Sequence, residues 1–196
     1  MLNLHNVVQW SRSNGPGTRY VIWVQGCPRS CPGCWNPESL PFVEGQRVSV
    51  DALYAQITRS RGIDGVTFSG GEPFSQSGEL AELARRLKAR GLSIVTFTGY
   101  TIEQLREAGN PDWDALLSHI DLLIDGVYIE GQQTDAPLKG SANQRLHYLT
   151  GVITPEEVNA LPRSFDVTIG SDGLTTVTGF PPADLAKRLA LRGVTL

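Results

Sequence analysis

The chain has 196 residues, with 17 basic and 20 acidic side chains and a formal net charge of −3. That length corresponds to one domain, which can bury a core without help from a disulfide or a metal. The sequence contains no polybasic stretch, which argues against nucleic acid or an anionic membrane as the main partner. The apolar runs are far shorter than the roughly 20 residues of a membrane span, and the N-terminus lacks the layout of a signal peptide. We therefore expect a cytoplasmic protein.

Short β-branched or aromatic runs alternate with segments of helical periodicity along the first two thirds of the chain. The predicted strands are residues 20–24, 65–68, 93–97 and 122–124. The predicted helices are residues 51–59 and 77–90, one that begins at Thr101 with a capping-box layout, and one that begins at Asp112. This alternation predicts βα units and a parallel sheet covered by helices, as in a partial or complete α/β barrel or an open relative of one.

The last third of the chain has a different character. Residues 126–143 are polar and contain glycine, which predicts a loop, and Thr154 followed by Pro155 predicts the start of a helix. Residues 165–169 and 175–178 predict a β-hairpin. Residues 184–192, followed by a glycine, predict a final helix.

All three cysteines lie within eight residues, at Cys27, Cys31 and Cys34, just after the first predicted strand. An odd, clustered set is a poor disulfide framework but is typical of a metal or cluster site. Thiolates at this spacing on a loop can bind one [4Fe-4S] cluster, which leaves one of the four irons without a cysteine ligand. Electron-transfer clusters normally have four protein ligands, so a free iron indicates chemistry at the cluster.

Two other interpretations of the cysteines stay open at this point. A structural zinc site needs a fourth ligand, and the candidates are His5, His119 and His147, none of which is near the loop in sequence. The surroundings of these histidines favour structural roles for all three. Inert buried cysteines are disfavoured because prolines and glycines interrupt the segment.

The cysteine loop resembles the Cys-x3-Cys-x2-Cys signature of the radical S-adenosylmethionine (SAM) superfamily. Residues 14–19, 24–28 and 34–37 read Asn-Gly-Pro-Gly-Thr-Arg, Val-Gln-Gly-Cys-Pro and Cys-Trp-Asn-Pro, and they resemble the corresponding run of glycyl-radical-enzyme activases. Within that group the chain is most similar to the activating proteins of anaerobic ribonucleotide reductases, over roughly residues 1–145. The family usually has an aromatic residue where this chain has Gly33, which leaves Trp35 to cover the adenine of SAM.

The resemblance implies which residues bind the cofactors. The implied SAM-binding residues are Trp35, Asn36, Ser69, Gly70, Gly71, Glu72, Thr98, Gly99 and Asp125, and the implied cluster ligands are Cys27, Cys31 and Cys34. Among them, Gly70, Gly71 and Glu72 resemble the Gly-Gly-Glu motif that holds the amino group of SAM. Taken alone, the later segments would be interpreted as turns at strand ends. Each follows a separate predicted strand, however, and ligands of βα sheets bind at the carboxyl ends of the strands, so we expect all of them on one rim.

The resemblance also implies an architecture. We expect an α/β fold, a partial, open βα barrel of the radical SAM type with parallel strands, followed by a C-terminal β-hairpin and helix. Residues 1–196 then form a single radical SAM domain, with a core at about 18–145 and an extension at about 146–196. Residues 139–145, which read Lys-Gly-Ser-Ala-Asn-Gln-Arg, resemble a segment of the reductase activases. They either shape the substrate entrance or form a capped loop that bonds its own backbone.

The implied activity is that of an iron–sulfur enzyme that reductively cleaves SAM to a 5′-deoxyadenosyl radical, which takes hydrogen from a glycine of a partner enzyme. The cofactor carries the radical, so we assign no catalytic side chain. The implied partners are a glycyl radical enzyme, with anaerobic ribonucleotide reductase as the candidate, and an electron donor such as a flavodoxin or a ferredoxin. Two alternatives remain: a radical SAM enzyme of the same architecture that modifies another peptide or small molecule, and a non-catalytic zinc or iron–sulfur binding module.

Overall fold

A computed structural model of the chain describes residues 1–169, 173, 175–182 and 185. The strands are β1 (Leu2–Ser11), β2 (Arg19–Val24), β3 (Gln46–Val48), β4 (Gly65–Gly70), β5 (Ser93–Phe97), β6 (Leu122–Asp125), β7 (Arg145–Tyr148), β8 (Phe165–Ile169) and β9 (Thr175–Gly179). The helices are α1 (Val50–Arg59), α2 (Ser77–Lys88), α3 (Ile102–Glu107), α4 (Pro111–Leu117) and α5 (Pro155–Asn159). No helix among the described residues is long and apolar enough to cross a membrane.

Seven strands form one open sheet in the order β3-β1-β2-β4-β5-β6-β7, and β8 and β9 form a separate hairpin. The four central strands β2, β4, β5 and β6 are parallel, as the alternation of strands and helices predicts. The flanking strands β1, β3 and β7 are antiparallel to their neighbours, which the sequence analysis did not anticipate. The fold is therefore a mixed α/β sheet with a parallel centre, and its hairpin lies where it was predicted.

The two faces of the parallel strands are buried against different parts of the chain. Alternate residues such as Tyr20, Ile22 and Phe68 pack with the apolar sides of the helices in the main core cluster. The intervening residues face the other way, because successive side chains of a strand point to opposite faces. On that second face, Val95 and its neighbours pack with residues from the C-terminal part of the chain, including Ile153.

The helices begin where local sequence signals predict. Thr101 and Thr154 each form a capping box, in which the threonine side chain accepts from the backbone N–H three residues later and that residue bonds back. Ser49 caps α1 by accepting from the N–H of Ala52. The predicted final helix at residues 184–192 lies outside the described residues, apart from residue 185.

A fully buried arginine, Arg19, joins the amino ends of the parallel strands. Its guanidinium donates to Thr67 Oγ1 (3.1 Å) on β4, to Ser93 Oγ (2.7 Å) and the Ser93 carbonyl (2.8 Å) on β5, and to the Val66 carbonyl (2.7 Å). Burial lowers the pKa of Arg19 to about 9, so it keeps its charge at neutral pH. A buried cation on β2 that is bonded to oxygens of β4 and β5 fixes the relative positions of these three strands at the end opposite the predicted site.

Candidate functional site

One cavity lies at the carboxyl ends of the parallel strands and extends along the second face of the sheet. It is lined by all three cysteines and by Trp35, Asn36, Ser69, Gly70, Gly71, Glu72, Thr98 and Gly99. Further residues line it, among them His5 of β1, Arg29 of the cysteine loop, Phe97 of β5, Tyr128 and Gln144 of the loop before β7, and residues 176–181. The structure thus brings together every implied site residue except Asp125.

The cysteine loop is held against the end of β4 by backbone hydrogen bonds. The N–H of Glu72 donates to the Gly26 carbonyl (2.9 Å), and the N–H of Cys27 donates to the Leu40 carbonyl (2.9 Å). Gly71 has to be glycine here, because a Cβ would collide with the carbonyl oxygen of Gly26. The Gly-Gly segment therefore allows two loops from different strands to approach each other closely enough to form one wall.

The three thiols are free and half-buried. Burial raises the pKa of the Cys27 thiol to about 11 and also raises the pKa of Cys34, so both are protonated at neutral pH until a metal displaces the protons. In the described part of the chain, no three His, Cys, Asp or Glu side chains are close enough to hold a single metal ion. Three free thiols of one loop line the same cavity, and such a set of soft sulfur donors is the chemistry that a [4Fe-4S] cluster requires.

Glu72 is a fully buried carboxylate in the wall of the cavity. Its Oε1 accepts from the Phe74 N–H (3.0 Å) and from Thr98 Oγ1 (2.8 Å), and its Oε2 accepts from the Gly99 N–H (2.8 Å). Burial is the main influence on it and raises its pKa to about 7, although these donors act in the opposite direction. Each carboxylate oxygen can accept about two hydrogen bonds, so Oε2 can accept one more, such as that of an amino group.

Two aromatic rings, not one, stand beside the third cysteine. Trp35 and Tyr128 meet edge to face with ring centroids 6.2 Å apart, a favourable arrangement for aromatic pairs. The Nε1 of Trp35 is buried without a hydrogen-bond partner among the described residues, which leaves a donor for a bound group. Gly33 adopts a φ of +70°, a backbone conformation that strains any residue with a side chain, so an aromatic residue is disfavoured at this position.

Arg29 brings a positive charge to the cavity wall. Its guanidinium lies over the Tyr100 ring at 4.2 Å from the centroid and donates to Gln104 Oε1 (3.2 Å). It is the one Arg or Lys among the described residues that line the cavity. Sequence reasoning missed Arg29, because its position inside the cysteine motif was not given a role.

Asp125 lies at the end of β6 but does not line the cavity. Its buried carboxylate accepts from the Ile102 N–H (2.7 Å) and from Arg145 (2.6 Å), and His147 Nε2 lies 3.0 Å away. Arg145 also bonds Glu103. Asp125 therefore joins the end of β6 to the start of α3 and to β7, while its neighbour Gly126 lines the cavity.

The segment at residues 139–145 forms a wall of the cavity through hydrogen bonds to its own loop. Gln144 accepts from the Gly140 N–H (2.7 Å) and donates to the Gly126 carbonyl (3.0 Å), Asn143 donates to the Val127 carbonyl (2.8 Å), and Ser141 accepts from the Ile129 N–H (3.1 Å). The segment is therefore a capped loop whose Gln144 lines the cavity, and its role in shaping the substrate entrance stays a prediction.

Comparison with known proteins gives consistent results. The model of the 4Fe-4S single cluster domain family matches residues 13–147. An anaerobic ribonucleoside-triphosphate reductase-activating protein of Vibrio cholerae is 34% identical over 159 residues, which cover 76% of this chain and 99% of that protein. A pyruvate formate-lyase-activating enzyme of Staphylococcus epidermidis is 32% identical and is covered to 60% of its length. The solved structure of QueE from Escherichia coli covers 51% of this chain with a TM-score of 0.43 and 22% identity.

The matched cluster domain, with three thiols and a Gly-Gly-Glu segment around one cavity, defines an iron–sulfur enzyme of the radical SAM class. Within that class, the chain belongs to the family of anaerobic ribonucleoside-triphosphate reductase-activating proteins. This confirms the predicted function as a glycyl-radical-enzyme activase and the predicted cofactors, a [4Fe-4S] cluster and SAM. The alternative of a non-catalytic binding module is not supported.

Proposed function

We propose that this enzyme generates the glycyl radical of an anaerobic ribonucleotide reductase. The observation that carries the proposal is the convergence of the cysteine loop with the Gly-Gly-Glu segment and Thr98–Gly99 around one cavity. Support comes from the relative in Vibrio cholerae, whose whole length the chain covers and whose name states that it activates such a reductase.

The three thiolates of Cys27, Cys31 and Cys34 would hold the cluster, and the strand ends beside them would hold SAM. When bound, the cluster and SAM together supply a reductive cleavage that produces a 5′-deoxyadenosyl radical. The free acceptor position on Glu72 is suited to the amino group of SAM, and Arg29 is suited to its carboxylate. These two residues orient the methionine part, because they fix its two charged ends.

The purine part of SAM would lie toward the aromatic pair. Trp35 and Tyr128 offer a ring face and the unpartnered indole N–H, which is a donor for a ring nitrogen of adenine. Ser69, Gly70 and Asn36 complete the wall between the two ends. The role of Asp125 in SAM binding is then indirect: it positions the end of β6, whose next residue reaches the cavity.

The four parallel strands at the centre of the sheet support the partial, open βα barrel of the radical SAM type, and the whole chain would act as one domain. A glycine suits the reaction, because a residue without a side chain can bring its Cα close to the reacting atom. An electron donor such as a flavodoxin or a ferredoxin would reduce the cluster. We place the enzyme in the cytoplasm, where reducing conditions keep such free thiols available for iron.

A second candidate function is a radical SAM enzyme that modifies another peptide or a small molecule. One observation favours it: residues 176–181 line the cavity although they lie beyond the family match, which ends at residue 147. A wall outside the shared domain can change what enters the site.

The test is to load the protein anaerobically with iron and sulfide, reduce it, and mix it with SAM and the anaerobic ribonucleotide reductase of the same organism. Electron paramagnetic resonance should then show a carbon-centred radical on the reductase, and a reductase with its radical glycine replaced by alanine should show none. SAM cleavage without a radical on the reductase would contradict the proposed target and favour the second candidate.

A further inference from the structure

A segment outside the family match forms one side of the cavity. The family model ends at residue 147, whereas the strands of the β8–β9 hairpin are Phe165–Ile169 and Thr175–Gly179. The cavity-lining part of this segment consists of Thr176, Val177, Thr178, Gly179, Phe180 and Pro181. The cavity in which we propose the radical chemistry therefore has one wall, residues 176–181, that the shared domain does not supply.

The hairpin is attached to the β1–β2 turn through a single carboxylate oxygen. Asp166 Oδ2 accepts four hydrogen bonds, from Ser11 Oγ (2.7 Å), the Arg12 N–H (3.0 Å), the Ser13 N–H (3.2 Å) and Ser13 Oγ (2.7 Å). Hydrogen bonds to a charged acceptor are stronger than those between neutral groups. We call this contact the Asp166 latch.

A second contact connects β9 to the interior of the parallel sheet. Thr178, which is buried, accepts from the side-chain amide of Asn14, and the Asn14 carbonyl accepts from Thr67 Oγ1 (2.8 Å) on β4. Gly179 has a φ of +98°, and a Cβ there would collide with Ser13, so glycine allows the hairpin to approach the turn. The hairpin thus packs tightly on the sheet.

The surface that the hairpin presents to the cavity is mainly apolar. Val177 is 2% exposed, and Phe180 packs against Phe97 of β5 with ring centroids 6.3 Å apart. The guanidinium of Arg163 lies over the Phe180 ring, 5.3 Å from its centroid, and donates to the Lys139 carbonyl (3.1 Å). The wall is therefore joined to the loop that carries Tyr128, and Val177, Phe180 and Pro181 give an apolar part to the side that lines the cavity.

We propose that the hairpin is a latched side wall that couples SAM cleavage to hydrogen transfer from the partner's glycine by excluding small hydrogen donors. This inference rests on the proposed function. In the coupled reaction a C–H bond of the glycine breaks, a C–H bond forms at the 5′ carbon, and the unpaired electron passes to the glycine. When the wall is loosened, a thiol from the buffer supplies the hydrogen through its S–H bond instead, and the unpaired electron passes to sulfur.

The test compares cluster-loaded wild type with Asp166→Asn, Phe180→Ala and the control Asp135→Asn, which removes an exposed carboxylate of the same charge. Hydrogen–deuterium exchange of the backbone at residues 175–179 should be about tenfold faster in Asp166→Asn, because the loss of charge-assisted hydrogen bonds favours local opening. The control should exchange as wild type does. This readout does not depend on the activity of the loaded enzyme.

The second readout is the number of glycyl radicals formed per 5′-deoxyadenosine released, with dithiothreitol in the buffer. We expect this ratio to fall at least about fivefold in both Asp166→Asn and Phe180→Ala, and to stay at the wild-type value in the control. Because Phe180→Ala keeps the Asp166 latch, it tests the wall even where Asp166→Asn folds poorly.

The outcomes separate the two proposals. Wild type that cleaves SAM without forming any radical on the reductase contradicts the proposed function. If wild type forms glycyl radicals and the variants form as many radicals per 5′-deoxyadenosine as wild type does, the proposal that the hairpin is a coupling wall is contradicted. Unchanged exchange in Asp166→Asn overturns the latch.

Discussion

Glu72 lies in an environment that opposes its own ionisation. It is buried, its pKa is raised to about 7, and its two oxygens connect the end of β4 to the end of β5. A folded-state pKa above the unfolded value of about 4.5 means that the folded chain binds the proton more tightly between these two pH values. The folded state is therefore destabilised by Glu72 as the pH rises through this window.

This predicts a pH-dependent difference between wild type and Glu72→Gln. In cluster-free protein, the free energy of unfolding of wild type relative to the variant should fall by on the order of 2 kcal/mol between pH 4.5 and pH 7, and level off about one pH unit above the folded-state pKa. Urea unfolding followed by circular dichroism at several pH values measures it. A difference that does not change with pH would show that Glu72 titrates normally in the fold.

Arg29 gives a second prediction at the scale of one residue. Replacing Arg29 with glutamine removes the cation from the cavity wall and should weaken SAM binding to the cluster-loaded protein about tenfold, while lysine should restore part of the affinity. Arg90→Gln, at an exposed arginine just beyond the C-terminal end of α2, is the matched control. Calorimetric titration with SAM measures the affinities. Equal affinity in the Arg29 and Arg90 variants would remove Arg29 from the SAM site.

At the scale of elements, each parallel strand has two sets of side chains, one on each face of the sheet, and the two sets have different roles. One set of side chains builds the core with the helices, and the other lines the cavity or packs on the C-terminal segment. The parallel strands must therefore be positioned accurately at both ends. Arg19 does this at the amino ends, and the Glu72 hydrogen bonds do it at the carboxyl ends.

Arg19 should accordingly be among the most sensitive residues for stability. Arg19→Ala leaves the Ser93 and Val66 oxygens without their donor and opens a cavity, so we expect a loss of about 3 kcal/mol in the free energy of unfolding. Arg47→Ala on β3, where the side chain is exposed, should change it by less than about 0.5 kcal/mol. Chemical denaturation of both variants provides the comparison. A small effect at Arg19 would contradict its role as the buried junction of the strands.

Local sequence signals allowed the helices and the central strands to be predicted, whereas the pairing of strands that are distant in the chain could not be predicted. The capping boxes at Thr101 and Thr154 lie within four residues, so the sequence shows them directly. β1 was missed, although the alternation of buried Leu2 and Leu4 with more exposed neighbours is a strand signal. The antiparallel pairing of β7 with β6 depends on the chain reversing through residues 126–144, and no local pattern specifies that.

The residues of the candidate site also divide into those that local motifs indicate and those that only long-range contacts bring together. The cysteines and the Gly-Gly-Glu segment could be predicted because short motifs carry them and because each follows a strand. Tyr128 and the hairpin residues could not, since their place in the cavity results from contacts across the sheet. For Asp125 the local signal was incomplete. Its position at a strand end predicted a place beside the SAM site, but its buried carboxylate is bonded to Arg145 and to the start of α3.

At the scale of the whole molecule, the fold brings together segments that are distant in the chain. The cysteine loop, three strand ends, the loop before β7 and the C-terminal hairpin surround one cavity. The family match covers all of these but the hairpin. The shared domain thus supplies the residues that we propose for the cluster and SAM, and the extension supplies a further wall of the cavity.

The most direct test of the account is whether the three thiols and the strand ends form one joint site for a cluster and SAM. Anaerobically loaded protein should contain about four irons per chain, and the electron paramagnetic resonance spectrum of its reduced cluster should change when SAM is added. Cys34→Ser should lose most of this iron, whereas Ser30→Ala in the same loop should keep it. A preparation that binds one zinc per chain, or a reduced cluster whose spectrum is unaffected by SAM, would contradict the account.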